Sequence, residues 1–238
     1  MNVRIRPALI TLVALLCGCG AKTGDSWFPL TPGARWTYAV DTESDGATKH
    51  GEQTITVLDE RSHDGKPLYI RRSETPDNIG IEYWLRETPQ GIQRIAQRID
   101  LQERAVLDEQ PRTVLKLPLA QGASWRVPTV AYTMTRKHEY PRELKYGRGM
   151  LMNYTVEAVD ERVEVPAGSY AHCARIVGRA EMTLFVDPVR GFSKIPVTST
   201  EWYCRGIGLV KLERSEEVSG AFYSGGKVSM VLTDFSPR

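Results

Sequence analysis

The sequence is poor in the residues that most often build catalytic or metal sites. It has four cysteines and four histidines in 238 residues, and the histidines are scattered along the chain. It contains no G-x-S-x-G nucleophile motif and no run of about 20 apolar residues that would span a bilayer as a helix. Lysine and arginine nearly balance aspartate and glutamate, at 31 against 29, which argues against a nucleic-acid binder.

The chain starts with a short leader. Arg4 and Arg6 precede the run 8–16, which is apolar apart from Thr11. A basic start, a short apolar run and small residues at the cut site are the layout of a secretory signal. Because the run is about half the length of a membrane-spanning helix, we predict a cleaved signal peptide over residues 1–18.

The end of this leader resembles the lipobox of bacterial lipoproteins. Leu16, Cys17, Gly18 and Cys19 place an aliphatic residue, a small residue and a cysteine at the expected positions. The resemblance implies a diacylglyceryl group on Cys19 after cleavage, and acyl chains anchor a protein by about 0.8 kcal/mol per buried CH₂. Gly20, rather than aspartate, implies sorting to the outer membrane. A Cys-x-Cys metal clip or a strained disulfide at this spacing is the alternative.

Past the leader, we predict a lipidated tether over residues 19–27 and a single β-rich domain over residues 28–238. Two related halves that meet near residue 117 are the alternative division. Without the two leader arginines, the chain has 29 basic and 29 acidic side chains.

Only two cysteines remain in the predicted domain, Cys173 and Cys204. In an oxidising compartment they predict one disulfide, which would stabilise the fold by roughly 3–4 kcal/mol for a loop of about 30 residues. Free thiols, or a metal site that includes His172, are the alternatives.

Apolar and polar residues alternate in many short segments. Trp36, Tyr38 and Val40 follow the Pro32-Gly33 turn with period two, which predicts a strand with one buried face. We therefore predict an all-β protein, an antiparallel meander in a curved open sheet or half-barrel with few or no helices. Further predicted strands include residues 55–57, 67–73, 81–87, 92–98, 132–134, 152–156 and 228–232. The main helix candidate is 99–109, which has no clear capping residue and is left open.

One octet occurs twice. Residues 29–36 (PLTPGARW) and 118–125 (PLAQGASW) match at five of eight positions. The shared pattern predicts a glycine turn that starts a strand whose tryptophan enters the core. Two related halves, or independent use of the same strand entry, would each produce it. We favour independent use because little beyond the octet aligns.

Three motifs together resemble a group of uncharacterised bacterial envelope lipoproteins. They are FPLTPGARWTYAV, VEVPAGSYAHCARI and EWYCRGIGLVKLE, which follow the patterns FPLxxGxxWxY, VPAGxY and WYxxGxGLVK. The resemblance implies a β-rich fold and imports no catalytic residue. Within these motifs, Gly206 and Gly208 predict a bulge or a close backbone approach.

Two patterns weakly resemble a calcium loop and a nucleophilic Cys–His pair. Residues 41–46 with Glu52 approach the calcium-loop template, but Glu43 is too long for its position, so we expect a solvated hairpin and no metal. His172 next to Cys173 would form a nucleophilic pair only if both faced one pocket, and alternation along a strand sends them to opposite faces. No cofactor is predicted.

A basic stretch follows residue 135. It would contact anionic headgroups or cell-wall polymer, or it is a solvated loop. Its cations are Arg136, Lys137, Arg142, Lys145 and Arg148.

These features predict a non-enzymatic binding or assembly module on the periplasmic face of the outer membrane. Its partner would be an envelope protein or an apolar, lipid-like ligand, and not a nucleic acid. The competing hypothesis is an envelope hydrolase with a dispersed acidic or Cys–His site, which requires two such groups to converge in one pocket.

Overall fold

The computed structural model describes residues 23–76, 78–137, 149–218 and 220–237. These residues are almost entirely β-strand, with a single turn of 3₁₀ helix at Thr23–Asp25 and no α-helix among them. The predicted all-β, antiparallel class is confirmed. None of the helical structure in these ranges is long and apolar enough to cross a membrane.

Fourteen strands follow one another along the described chain. They are β1 (Arg35–Ser44), β2 (Ala47–His63), β3 (Lys66–Thr75), β4 (Asn78–Thr88), β5 (Gly91–Ile99), β6 (Val106–Lys116), β7 (Ser124–Thr129), β8 (Thr135–Arg136), β9 (Met150–Val165), β10 (Gly168–Asp187), β11 (Gly191–Cys204), β12 (Gly208–Ser215), β13 (Tyr223–Ser224) and β14 (Gly226–Ser236).

Twelve of these strands form one antiparallel sheet that curls until it is nearly closed into a barrel. The order is β6-β5-β4-β3-β2-β1-β14-β12-β11-β10-β9-β7, while β8 and β13 form a separate two-stranded ladder. The first six strands are therefore a plain meander, and the other six are a second meander joined to it where β1 pairs with β14. All ten residues of β1 have a partner on β14.

The register identifies which side chains face the interior of the sheet, because directly opposite residues of an antiparallel pair lie on the same face. In the second meander, opposite positions run from Met230 through Leu212, Glu201 and Ile176 to Val156. In the first meander, the corresponding row runs through Val57, Arg71 and Tyr83. The interior is this face, on which Trp36 and Tyr38 are also fully buried.

Both copies of the octet enter the sheet in the same way. The N–H of Gly33 donates to the carbonyl of Val57 at 2.8 Å, and the N–H of Val57 donates to the carbonyl of Ala34 at 2.9 Å. Gly122, Ala123 and Val156 form the same pair of bonds at 2.8 and 2.9 Å. Duplication and independent use of this strand entry both predict the shared geometry.

The octets also share their register. Trp36 lies opposite Ile55, and Trp125 lies opposite Tyr154. Each octet tryptophan is the second residue of the first strand of its meander. The two meanders can thus be compared position by position from these octets onward.

The two edges of the sheet, β6 and β7, face each other across a seam. They are linked by the Lys116 Nζ, which donates to the carbonyl of Ser124 at 2.9 Å. Each edge carries a proline, Pro111 in β6 and Pro128 in β7, and proline has no N–H to donate to a neighbouring strand. The β5–β6 register also shifts between Arg94 and Ala96. These features explain why no β6–β7 ladder continues the sheet, whereas β14 and β1 pair fully.

One helix candidate is absent, and one predicted strand is wrong. Residues 99–109 form no helix, because β5 runs to Ile99 and β6 begins at Val106. Residues 132–134 are not a strand, although Met134 is buried as the alternation suggests. By contrast, the turn between β9 and β10 falls at Pro166-Ala167, and the acidic segment near residue 45 is the β1–β2 hairpin.

We predict that Gly122→Ala destabilises the fold by about 1–2 kcal/mol, because alanine at the observed φ of 83° would be in the left-handed region. A Cβ there would meet no atom within 4 Å, so the loss would be backbone strain alone. Gly51→Ala in β2 is the matched control, since its φ is ordinary and its Cβ would be 3.8 Å from the nearest atom. Urea unfolding of both variants measures the difference, and equal stabilities would contradict the argument.

Candidate functional site

The segment just before β1 crosses one end of the sheet. There, the N–H of Gly206 in the β11–β12 turn donates to the carbonyl of Ser26 at 2.8 Å. A Cβ on Gly206 would lie 2.8 Å from the carbonyl oxygen of Gly24. The predicted close backbone approach at this glycine is therefore present, and what approaches is the N-terminal segment.

This segment inserts apolar side chains into the interior. Trp27, Phe28 and Leu30 are buried and pack in one cluster with Tyr203, whose ring centre is 6.4 Å from that of Phe28. The FPLxxGxxWxY motif and the WYxxGxGLVK motif thus contact each other. The first covers the end of the sheet, and the second packs beneath it.

Two aromatic side chains of β1 extend this contact through their polar atoms. The indole Nε1 of Trp36 donates to the carbonyl of Ile207 at 2.7 Å, and the hydroxyl of Tyr38 donates to the carbonyl of Leu209 at 2.8 Å. Both rings are fully buried, and buried tyrosine and tryptophan need such acceptors. Burial also raises the pKa of the Tyr38 hydroxyl, so it is a neutral donor at physiological pH.

Arg71 is the unusual residue of the interior. Its side chain is 9 % exposed, and the guanidinium lies 4.4 Å from the ring centre of Phe28 and 4.9 Å from that of Trp36. Its Nε has no hydrogen-bond partner. Burial lowers the pKa of this guanidinium, yet arginine keeps its charge at neutral pH. A positive charge is therefore held between two aromatic faces.

Glu201 lies on the opposite side of the interior, within a group of hydroxyls. It accepts hydrogen bonds from Tyr203 at 3.0 Å, from Ser199 at 3.2 Å and from Tyr154. Burial raises the pKa of its carboxyl, and these three donors oppose that rise without cancelling it. Because its three hydrogen-bond partners are hydroxyl donors of the protein, the carboxyl is held in place within the interior.

A third charged group fixes the loop that follows β7. Glu216 accepts the backbone N–H groups of Tyr132 and Thr133 at 2.8 Å and that of Met134 at 3.3 Å. Its other partner is Arg214, whose Nε donates at 2.6 Å. Both charged side chains are fully buried. This pair explains why residues 132–134 form a loop in spite of their strand-like alternation.

The predicted disulfide is present. Cys173 and Cys204 lie opposite each other on β10 and β11 with bonded sulfurs, and both are buried. The Cys–His alternative is wrong, because the Cys173 sulfur is in this bond and the exposed ring of His172 is 2.6 Å from the carboxylate of Asp160 instead. The acidic hairpin likewise uses Asp41 to contact the His50 ring at 2.7 Å.

The other predicted site residues are only partly visible. Arg136 lies in β8 opposite Tyr223, and the backbone N–H of Lys137 donates to the carbonyl of Phe222 at 2.9 Å. This start of the basic stretch is therefore attached to the fold. Cys19, Arg142, Lys145 and Arg148 fall outside the described residues.

Sequence reasoning missed the interior charges. Arg71 and Arg72 are neighbours in the chain, but Arg72 lies on the outer face and pairs with Asp100 at 2.7 Å. A signal was present at Glu201, which sits two residues from the aromatic Tyr203 and therefore on the same strand face. Alternation alone would have marked it as a charge on a buried face.

Comparisons with known proteins identify no family. No family model and no curated protein matches the chain. Among solved structures, a candidate exported protein with a YmcC-like fold from Bacteroides fragilis is 14% identical, with a TM-score of 0.43. A candidate lipoprotein from Parabacteroides distasonis is 13% identical, with a TM-score of 0.41. Each comparison covers 89% of this chain and 99% of the other. With TM-scores below 0.5, these similarities assign neither fold family nor function.

We predict that Glu201→Gln becomes more stable relative to the wild type as pH rises. The raised pKa of Glu201 means that the folded protein holds a proton that the unfolded chain releases above about 4.5. Wild-type stability therefore falls as pH rises from there to the folded pKa, and glutamine removes this loss. Urea unfolding across this pH range measures the difference.

Glu82→Gln is the matched control. Hydrogen bonds from Arg98 lower the pKa of Glu82 on the outer face, so its stabilisation is present above the unfolded pKa and is lost as pH falls. The two variants should shift in opposite directions relative to the wild type. A pH-independent difference for Glu201→Gln would contradict the prediction.

Proposed function

We propose that this chain is a lipoprotein of the bacterial outer membrane that faces the periplasm and acts as a non-enzymatic binding module for an apolar, lipid-like ligand. The basic start, the short apolar run and the lipobox-like residues 16–19 support the anchor on Cys19. From Cys19 to Gly24, where the chain meets the β11–β12 turn, five residues span at most about 18 Å. The covered end of the sheet would therefore lie close to the bilayer.

The seam between β6 and β7 carries the binding part of this proposal. A cleft of about 570 Å³ lies there, lined by residues of β5, β6 and β7. Val106 and Leu107 line this cleft beside polar and charged side chains that include Asp108, Arg112 and Arg126, and both apolar residues are exposed. An open seam is a route by which an apolar chain would reach the interior.

The side chains behind the seam suit such a ligand. Leu115 of β6 and Trp125 of β7 pack in the same apolar cluster as Phe28, and the Trp125 ring stacks on Tyr154 with centres 5.5 Å apart. The indole Nε1 of Trp125 is buried and has no hydrogen-bond partner. A buried donor without an acceptor costs about 1–3 kcal/mol, and an oxygen of a bound amphiphile would remove that cost.

For the anchor, we predict that Cys19→Ser abolishes incorporation of a radiolabelled fatty acid into the protein. Serine has no thiol to form the thioether. Cys17→Ser is the matched control and should keep the label, because position 17 belongs to the leader that is removed. Equal labelling of the wild type and Cys19→Ser would refute the anchor without bearing on the interior.

For the interior, we predict that 11-bromoundecanol quenches the tryptophan fluorescence of the wild type and that Trp125→Phe loses much of this quenching. Bromine quenches only nearby rings, and Trp125 is the tryptophan behind the seam. Trp202→Phe is the matched control, because Trp202 lies on the outer face with its Nε1 bonded to Glu161 at 3.1 Å.

Native mass spectrometry of gently extracted protein provides the complementary measurement. We expect co-purifying lipid on the wild type. Equal quenching of Trp125→Phe and the wild type, together with a ligand-free mass, would overturn the binding role.

A further inference from the structure

Arg71 lacks the partners that buried arginines normally have. Burying a charge is costly unless it is paired, and the other interior arginine, Arg214, pairs with Glu216 at 2.6 Å. Among the described residues, no hydrogen bond or ion pair joins Arg71 to an acceptor, and its Nε is buried and unsatisfied. The interior therefore has one uncompensated positive charge.

The hydroxyls of Tyr38 and Tyr203 do not supply the missing acceptor. Tyr38 and Tyr203 are close enough for their charge state to affect Arg71. However, Tyr38 donates to the carbonyl of Leu209 and Tyr203 donates to Glu201. Neither hydroxyl oxygen accepts a hydrogen bond from Arg71 among the described residues, so the contacts of this guanidinium are the faces of Phe28 and Trp36.

The fold does not require a charge at this position. Arg71 of β3 lies opposite Val57 of β2, and in the second meander Ile176 of β10 lies opposite Val156 of β9. Val57 and Val156 hold the same place relative to the two octets. The corresponding position is thus filled by isoleucine in one meander and by arginine in the other, which separates the charge from the needs of the sheet.

The group that covers Arg71 does not belong to the sheet. Phe28 lies in the N-terminal segment, which is held at this end by the Gly206–Ser26 backbone bond, a contact between Arg205 and Asp25 at 3.5 Å, and the packing of its own side chains. Phe28 can leave the guanidinium without breaking a strand ladder. Trp36, by contrast, is fixed within β1 by its bond to Ile207.

We propose that Arg71 is the anion-binding residue of the interior, that it pairs with the carboxylate or phosphate head of a single-chain amphiphile, and that Phe28 covers it when no ligand is bound. Guanidinium binds both kinds of head through two parallel hydrogen bonds. The inference rests on the proposed interior binding and adds the class of head group. The unsatisfied Nε and the two terminal nitrogens of Arg71 would donate to the head, while the apolar cluster around Leu115 would hold the tail.

The test measures binding of three probes with the same tail, dodecanoate, dodecyl phosphate and dodecanol, by isothermal titration calorimetry below their micelle concentrations. The protein is the whole mature chain with Cys19→Ser, exported behind a conventional signal peptide. We expect at least a tenfold preference for an anionic probe over dodecanol. Comparison of the two anions shows whether the head is carboxylate or phosphate, and inorganic phosphate alone should bind far more weakly because it lacks a tail.

Arg71→Met should abolish the preference while dodecanol binds as before, and Arg71→Lys should retain part of it. Arg61→Met is the matched control, because Arg61 is an exposed arginine of β2 that pairs with Asp59 at 3.1 Å, and it should keep the full preference. Phe28→Ala should bind the anionic probes several-fold more tightly, since it removes the cover without removing the charge. This second variant tests the site even if Arg71→Met folds poorly.

The melting temperature separates this role from a structural one. Removal of an unpaired buried charge should leave the melting temperature of Arg71→Met unchanged or higher. A large decrease, together with an unchanged anion preference, would make Arg71 a packing residue and overturn the inference. Equal wild-type affinity for dodecanol and the anions would also overturn it but leave the binding module intact. Failure of every probe to bind the wild type would overturn the proposed function itself.

Discussion

The pairing of the first strand with the last is the interaction on which the rest of this structure depends. β1 and β14 are paired along the whole length of β1, and this ladder turns two separate six-stranded meanders into one curved sheet with a common interior. It also sets the position of Trp36 and Tyr38, whose polar atoms reach the carbonyls of Ile207 and Leu209. This ladder therefore also places the N-terminal segment, which leads into β1, against the β11–β12 turn.

The interior that results is not a uniform apolar core. Its charges are treated in three different ways: Glu216 and Arg214 neutralise each other, Glu201 is surrounded by hydroxyl donors, and Arg71 is placed between aromatic rings. The first arrangement holds a loop, and the second shifts a pKa. Only the third leaves a charge without an acceptor among the described residues, and it lies beneath a segment that is not part of the sheet. This contrast, rather than any single distance, directs attention to Arg71.

Much of the fold could be predicted from local patterns, because strand alternation with period two and Gly-containing turns are written in short stretches of sequence. The buried Trp36 and Tyr38 and the β9–β10 turn follow from such patterns, whereas the Cys173–Cys204 bond follows from the count of cysteines in an exported chain. Residues 132–134 were assigned wrongly because the side chain that determines their conformation, Glu216, is more than 80 positions away.

The candidate site was beyond local patterns for a related reason. Arg71 and Arg72 look alike in the sequence, and only the pairing of β3 with β2 decides which of them faces inward. The seam was equally hidden, because Pro111 and Pro128 are informative only once β6 and β7 are known to be the sheet edges. Long-range register, which no single stretch of sequence encodes, therefore decides both the site and its access.

The unequal joining of the two meanders has a mechanical consequence. Along one junction a full ladder resists separation, whereas along the other the part of the chain that the structure describes shows one hydrogen bond between the facing edges, from Lys116 to Ser124. Separation of the β6 and β7 edges would therefore leave every backbone ladder intact, whereas separation of β1 from β14 would break one. A wider seam would break the Lys116–Ser124 hydrogen bond and some side-chain packing, and it would admit ligands of different thickness.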